Sequence, residues 1–360
     1  MDTGSREAQM RLLRRRGAGG PPGPGTLPGP GARRRPWWRR AGRALGAGAL
    51  ALVALLLAST ALNLALVRYE RATLAPYGER VRVGDGAVNV VDHGGEGPAV
   101  VLLGGLGTPA PALDFAPLAR ELEGHRVVVV EGFGYGYSDL EAPARTVENV
   151  SAELHAALAA RGVEAPYVLM GHSLAGFYML DYVDRYPGEV SAVVGIDPTV
   201  PAAGPEEPED GGPGIPWQRL AADTGLLRWT LLVAPGLGEP DGPGYTPEER
   251  RRIRLMTAWN YGNPAVVDET RRIADNARRL RGVGYPPDLP VLVLLSRETV
   301  ELRPEWLPRH EEQLRAVRRH ELVVLDGGHY LHWTRSPEIA REVTGFLEHQ
   351  GAGRAAPPAG

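Results

Sequence analysis

Hydrophobic and polar positions change rhythm along the chain, and each rhythm predicts a different element. From Ala44 to Val67 there is no charged side chain, between Arg43 and Arg68. At a rise of ~1.5 Å per residue, such a run spans a hydrocarbon core of ~30 Å and predicts a transmembrane helix. Asn63 is its one strongly polar side chain, near the far end where it can reach the interface. From about residue 78 the pattern becomes short apolar runs alternating with amphipathic stretches. Arg80–Val83 and Ala87–Asp92 read as a hairpin around Gly84-Asp85-Gly86. Ala99–Gly104 and Arg126–Glu131 are continuously apolar or nearly so, as strands buried on both faces must be. Pro166–Gly171, Ser191–Ile196, Pro290–Ser296 and Glu321–Asp326 repeat the pattern.

Helical periodicity lies between these runs, near 113–123, 147–161, 174–186 and 336–349. Strand–helix alternation of this kind specifies an α/β fold with a mostly parallel sheet flanked by helices. One interval breaks the alternation. It opens with a Pro/Gly/acid-rich stretch, 198–216, and continues with helical patterns near 217–233, 247–260 and 264–281. An insertion after a sheet strand, with no strand of its own, predicts a helical lid over the strand ends where open α/β sheets bind ligands.

Composition changes this picture in three ways. All 40 basic residues are arginine and none is lysine, which points to coding bias rather than to polyanion binding. With a net charge of -3, no nucleic-acid partner is expected. The absence of cysteine excludes disulfides, thiol nucleophiles and cysteine-based metal sites. Residues 1–43 hold eleven arginines against Asp2 and Glu7, and they include a Gly/Pro tract. They read as a disordered arm on the cytoplasmic side. That orientation predicts a single-pass protein with its catalytic region beyond the membrane. The rival is a cleaved signal peptide, with Ala58-Ser59-Thr60-Ala61 offering a small-residue cleavage site.

The chemistry centres on Tyr167-Val168-Leu169-Met170-Gly171-His172-Ser173-Leu174-Ala175-Gly176. An apolar run, a turn of small residues around a serine and a helical pattern make a nucleophile elbow. A serine hydroxyl needs a base, an acid to orient that base, and donors for the developing oxyanion. The base candidate is His329, on the glycine-bearing loop Asp326-Gly327-Gly328-His329 after the last strand, with His332 as the fallback. His172, beside the nucleophile, reads as structural. The donors expected are the backbone N–H groups of Leu174 and of Leu106, in Gly104-Gly105-Leu106-Gly107. For the acid, Asp197 ends one strand, and Glu298 and Glu301 follow the next; Glu298 is the first candidate.

These motifs, with Gly132-Phe133-Gly134-Tyr135-Gly136-Tyr137-Ser138-Asp139, resemble the α/β-hydrolase superfamily over roughly residues 78–349. The resemblance is to its lid-bearing esterases, lactonases and proline iminopeptidases. It implies that the Gly134-x-Gly136-x-Ser138 loop shapes the base of the pocket. The chain departs from the pattern at Gly104, where a histidine is common, and at Ala175, where glycine is usual. It also departs near Thr299, where an aspartate is usual. The organisation implied is an arm 1–43, a transmembrane helix 44–67, a linker 68–77 and a core 78–197. A lid 198–289, the rest of the core 290–349 and a flexible tail 350–360 complete it.

The function expected is a membrane-anchored serine hydrolase acting on a small-molecule carboxylic ester, lactone or small amide through an acyl-enzyme, with no cofactor or metal. Serine at the elbow argues against epoxide hydrolase chemistry, which in this superfamily uses a carboxylate nucleophile. Two alternatives stand beside it: an impaired hydrolase-fold binding or sensor protein, and an acyltransferase or thioesterase using the same residues. Nothing in the chain names a protein partner.

Overall fold

Eight strands pair into one sheet in this computed structural model, which describes residues 37–201 and 216–350. The expected arm before residue 37, most of the loop after Pro198 and the tail after Gln350 lie outside the described residues. The strands are β1 (Glu79–Val83), β2 (Gly86–Asp92), β3 (Ala99–Leu103), β4 (Arg126–Glu131), β5 (Tyr167–His172), β6 (Val190–Ile196), β7 (Val291–Ser296) and β8 (His320–Leu325). Their order is β1-β2-β4-β3-β5-β6-β7-β8. β2 is antiparallel to β1 and β4; every other pairing is parallel. The chain leaves β3 for β4 on one side and returns to β5 on the other. The carboxyl ends of β3 and β5 therefore flank a switch point, the place where such sheets open a crevice.

The strands are apolar throughout because both faces are covered. Val101, Leu103, Leu169 and Val293 belong to one buried cluster, and the alternate residues Val100, Leu102, Met170 and Leu292 to the other. Each such side chain contributes roughly 1.5–3 kcal/mol of burial. Helices supply the covers. The described ones used below are α1 (Trp37–Thr73), α2 (Val147–Arg161), α3 (Ala175–Arg185), α4 (Pro216–Asp223), α5 (Leu226–Val233), α6 (Pro247–Asn260), α7 (Arg297–Leu302), α8 (Trp306–Leu314) and α9 (Ser336–Gln350).

The helical insertion differs from its expected form where local chemistry intervenes. The pattern 217–233 is two helices, because Gly225 takes φ 78 and ends α4 before α5 begins. The pattern 264–281 likewise divides, into Pro264–Arg271 and Ile273–Arg279. The span 247–260 is one helix, started by a capping box in which Thr246 and Glu249 bond each other's backbone. Helices α7 and α8, short and separated by Pro304, were not foreseen.

By length and composition α1 can cross a membrane. It outruns the expected 44–67 at both ends, and the expected linker is helical through Thr73. The chain forms two contact units, divided after Ala54. In the first, the described residues are helical and expose Trp37, Trp38, Leu45 and Leu50. The second holds α1 from Leu55 onward together with the sheet. There Asn63, expected at a lipid interface, is instead buried.

Candidate active site

Strand β5 ends at His172, and the next residue, Ser173, sits at φ 54. Strand β6 ends at Ile196, and the next residue, Asp197, sits at φ 42. These are the non-glycine residues with positive φ among those described. Such a conformation costs about 1–3 kcal/mol, so it persists only where neighbours hold it. Ser173 N–H donates to Ile196 O at 3.1 Å, and Asp197 N–H donates to Leu294 O at 2.7 Å. The elbow needs small neighbours for steric reasons. A Cβ on Gly176 would lie 2.3 Å from Thr199 O, and one on Gly105 would lie 3.1 Å from Ser173 Cβ. Ala175 fits in place of glycine, its methyl group packing over Gly171.

His329 follows β8 and turns back to both residues. Its Nε2 is 2.9 Å from Ser173 Oγ and its Nδ1 is 2.7 Å from Asp197 Oδ2. Asp197 is fully buried. Its Oδ2 also accepts from Thr299 Oγ1 at 2.6 Å, while Oδ1 accepts from Trp306 Nε1 at 2.8 Å and Ser296 N–H at 3.2 Å. Burial pushes its pKa up, but the bonds from His329, Thr299 and Trp306 outweigh burial and hold it below the usual carboxylate range. An ionised Asp197 accepts the Nδ1 proton of His329, which leaves the Nε2 lone pair facing Ser173.

Of the three candidate acids, Asp197 is the one bonded to His329. Glu298 is exposed at the start of α7, its carboxylate beside the Gly328 backbone, and Glu301 is exposed further along; neither is the carboxylate bonded to His329. The position near Thr299 that lacks an aspartate carries instead a hydroxyl donor to Asp197. His332, the fallback base, is fully buried with Nε2 2.6 Å from Asp114 Oδ2, so it does not serve Ser173. His172, beside the nucleophile, is buried. Its Nε2–H donates to His329 O at 3.0 Å. Burial first, then the neighbouring His332 and His329, hold its pKa well below the ordinary value and keep it neutral.

The N–H groups of Leu106 and Leu174 are not bonded to other groups of the fold among the described residues. Beside Leu106, Gly107 N–H donates to Tyr135 Oη at 3.2 Å, and Tyr135 in turn donates to Glu269. Glu269, from the helical insertion, is 2% exposed and also accepts from Tyr178 on α3. Sequence reasoning missed this tie, since nothing local marks Glu269 as buried. The same cluster bounds a cavity of about 50 Å³ with Gly104, Gly105 and Gly132. No group of three or more metal-ligating side chains occurs among the described residues.

A serine on a strained elbow at the switch point, faced by a histidine from the loop after β8, decides the architecture. The chain has the α/β-hydrolase fold. A family model described as the alpha/beta hydrolase fold matches residues 98–233. Epoxide hydrolase I of potato (Solanum tuberosum) superposes with a TM-score of 0.62 at 17% identity, covering 76% of this chain and 99% of that one. The epoxide hydrolase of Vigna radiata gives 0.58 at 18%, covering 76% and 97%. The uncharacterized protein YbdG of Bacillus subtilis (strain 168) is 31% identical over 133 residues. That match takes in 37% of this chain and spans 41% of the length of that relative. This hydrolase-fold chain therefore shares its sheet with epoxide hydrolases while presenting serine at the elbow.

Proposed function

We propose that the chain is a membrane-anchored serine hydrolase acting on a carboxylic ester, lactone or small amide. The observation that carries this reading is the unbroken series Asp197–His329–Ser173, at 2.7 and 2.9 Å, with Ser173 lifted by its positive φ. Ser173 Oγ attacks the substrate carbonyl as its proton passes to His329 Nε2. The oxyanion of the tetrahedral intermediate accepts from Leu106 and Leu174 N–H. The intermediate collapses, breaking the bond to the leaving group, which takes the proton from His329. Water then loses a proton to His329, attacks the acyl-enzyme and releases the acid and Ser173. Asp197 keeps the imidazole in the right tautomer and stabilises the imidazolium. Epoxide opening through an enzyme ester would call for a carboxylate at position 173, so the epoxide hydrolase neighbours lend their fold and not their reaction. Helix α1 is the anchor, with the insertion as a lid, and the arginine-rich N-terminal side faces the cytoplasm.

The test is fluorophosphonate labelling of the full chain in detergent, with Ser173→Ala as control. Labelling that disappears in the variant supports the reading; a folded wild-type protein that takes no label sinks it.

A further inference from the structure

Helix α1 carries more polar side chains on its catalytic side than a lipid-facing helix tolerates, and the insertion bonds three of them, Ser59, Asn63 and Glu70. Ser59 Oγ donates to Thr224 O at 2.6 Å and accepts from Trp229 Nε1 at 2.8 Å. Asn63, 2% exposed, donates to Ala222 O at 2.9 Å and accepts from Arg228 Nε at 2.7 Å. Glu70 accepts from both terminal nitrogens of Arg228, at 2.6 and 2.8 Å, and from Trp259 Nε1 at 2.8 Å. The turn between α4 and α5 is therefore fixed to α1 at the level of Asn63.

Length locates that level. The helix is 37 residues long, about 55 Å at ~1.5 Å per residue. A hydrocarbon core of ~30 Å takes about 20 of them. Counted from Ala44, those residues end at Asn63, the residue that the turn wraps. The insertion is apolar on its outside here. Trp217 and Leu220 on α4, Leu226, Leu232 and Val233 on α5, and Leu237 just beyond are 49–86% exposed. Isolated exposed leucines need no explanation, but six large apolar side chains within one short stretch do. A cavity of about 170 Å³ begins at this stretch. Leu237 and Pro240 form one wall, and Gly107 of the glycine loop and Tyr330, next to His329, form the other.

We propose that the α4–α5 face is a lipid-seating surface, resting in the interfacial layer of the bilayer that α1 crosses and admitting the acyl chain of a lipid ester past Leu237 to Ser173. The partner is a lipid surface because the face is continuous with the bilayer-crossing helix through Ser59 and Asn63. This rests on the serine-hydrolase reading above.

The chain has no cysteine, so single substitutions Leu220→Cys, Leu232→Cys and Leu237→Cys can each carry one environment-sensitive fluorophore. Leu302→Cys, 82% exposed on α7, is the comparison site. In the full chain reconstituted into phosphatidylcholine vesicles, the three insertion sites should be quenched by nitroxide-bearing lipid and protected from iodide, and Leu302→Cys the reverse. Iodide quenching at all four sites overturns the surface. Protection from both quenchers, with cross-linking between copies, overturns it in favour of a protein interface. Leu220→Glu with Leu232→Glu, both outside the cavity, should lower kcat/KM on a long-chain ester in vesicles roughly tenfold, equivalent to one decade of transition-state stabilisation. Hydrolysis of a soluble acetate ester should hold within about twofold. Equal loss on both esters overturns the acyl-chain route. Absent fluorophosphonate labelling would instead defeat the hydrolase reading, and the quenching result would stand apart from it.

Discussion

Two histidine–aspartate pairs stand three residues apart in the segment after β8, at nearly the same distance but through opposite ring nitrogens. His329 meets Asp197 at 2.7 Å and His332 meets Asp114 at 2.6 Å. What separates them is the other ring nitrogen. In His329 it faces Ser173 Oγ, and the side chain is 37% exposed. In His332 the other nitrogen is buried without a partner, and the ring packs 4.6 Å from Phe115 and 4.8 Å from His172. Asp114 also accepts from Trp333 Nε1 at 2.8 Å, so this second pair ties the segment after β8 to the short helix Pro111–Asp114 that follows the glycine loop. An ion-pair-like contact is thus no mark of chemistry by itself; a reachable nucleophile on the free nitrogen is.

The sharpest way to break that contrast is to disrupt each pair in turn. Asp197→Asn should lower kcat on the order of 10³–10⁴-fold, because the amide offers a donor where His329 needs an acceptor and selects the wrong tautomer. Ester turnover with matched folding controls measures it. The same variant has a pH signature. The folded pKa of Asp197 is depressed, so its contribution to stability is present above the ordinary aspartate value and is lost as pH falls through the folded value. Acid unfolding of the wild type should therefore steepen below about pH 4, the ordinary aspartate value, and this component should vanish in Asp197→Asn.

The second pair should respond in the opposite currency. His332→Ala leaves Asp114 buried with one partner fewer, which should cost about 3 kcal/mol of stability in a denaturant titration. Fluorophosphonate labelling should persist below the melting transition. A variant that folds normally and loses labelling would show that His332, not position alone, acts at the site.

Much of this arrangement was legible from the sequence, and its limits were physical. Strands β3, β4, β5 and β7 announced themselves because burial on both faces demands continuous apolar residues. Ser173 and His329 were legible because the elbow and the Gly327-Gly328 loop leave local traces. The acid was not. Asp197 and Glu298 both follow strand ends beside β5 or β6, and what distinguishes them is the donor set from Thr299 and Trp306, a hundred residues beyond Asp197. The burial of Asn63 was hidden for the same reason, since its partners lie in the insertion. Glu269 was hidden likewise, its tyrosine partners coming from two other parts of the chain.

Thr299 refines the comparison further, because Asp114 has no hydroxyl counterpart to it. Thr299→Val removes one donor from Asp197 while keeping shape, and a lost bond to a charged group is worth about 1.5–3 kcal/mol. Part of that loss falls on ground and transition states alike. The expected fall in kcat is therefore about tenfold, accompanied by a rise of the Asp197 pKa and an earlier onset of acid unfolding. Unchanged turnover together with an unchanged acid limb would show that Trp306 and Ser296 suffice to hold the carboxylate.

The smallest expected effect belongs to Glu298→Gln. Glu298 is exposed, and it stands beside Gly328 rather than on an imidazole nitrogen. Its N–H donates to Gly327 O at 3.3 Å, a backbone bond that glutamine preserves. Charge at this distance from His329 is screened by water, so turnover should stay within about twofold of wild type. The comparison with Asp197→Asn is what gives the result meaning. Two carboxylates at neighbouring strand ends would then differ by several orders of magnitude in kcat, although both precede their loops in similar sequence contexts. A large loss in Glu298→Gln with a mild one in Asp197→Asn would reverse the assignment and place the orienting charge on the exposed loop.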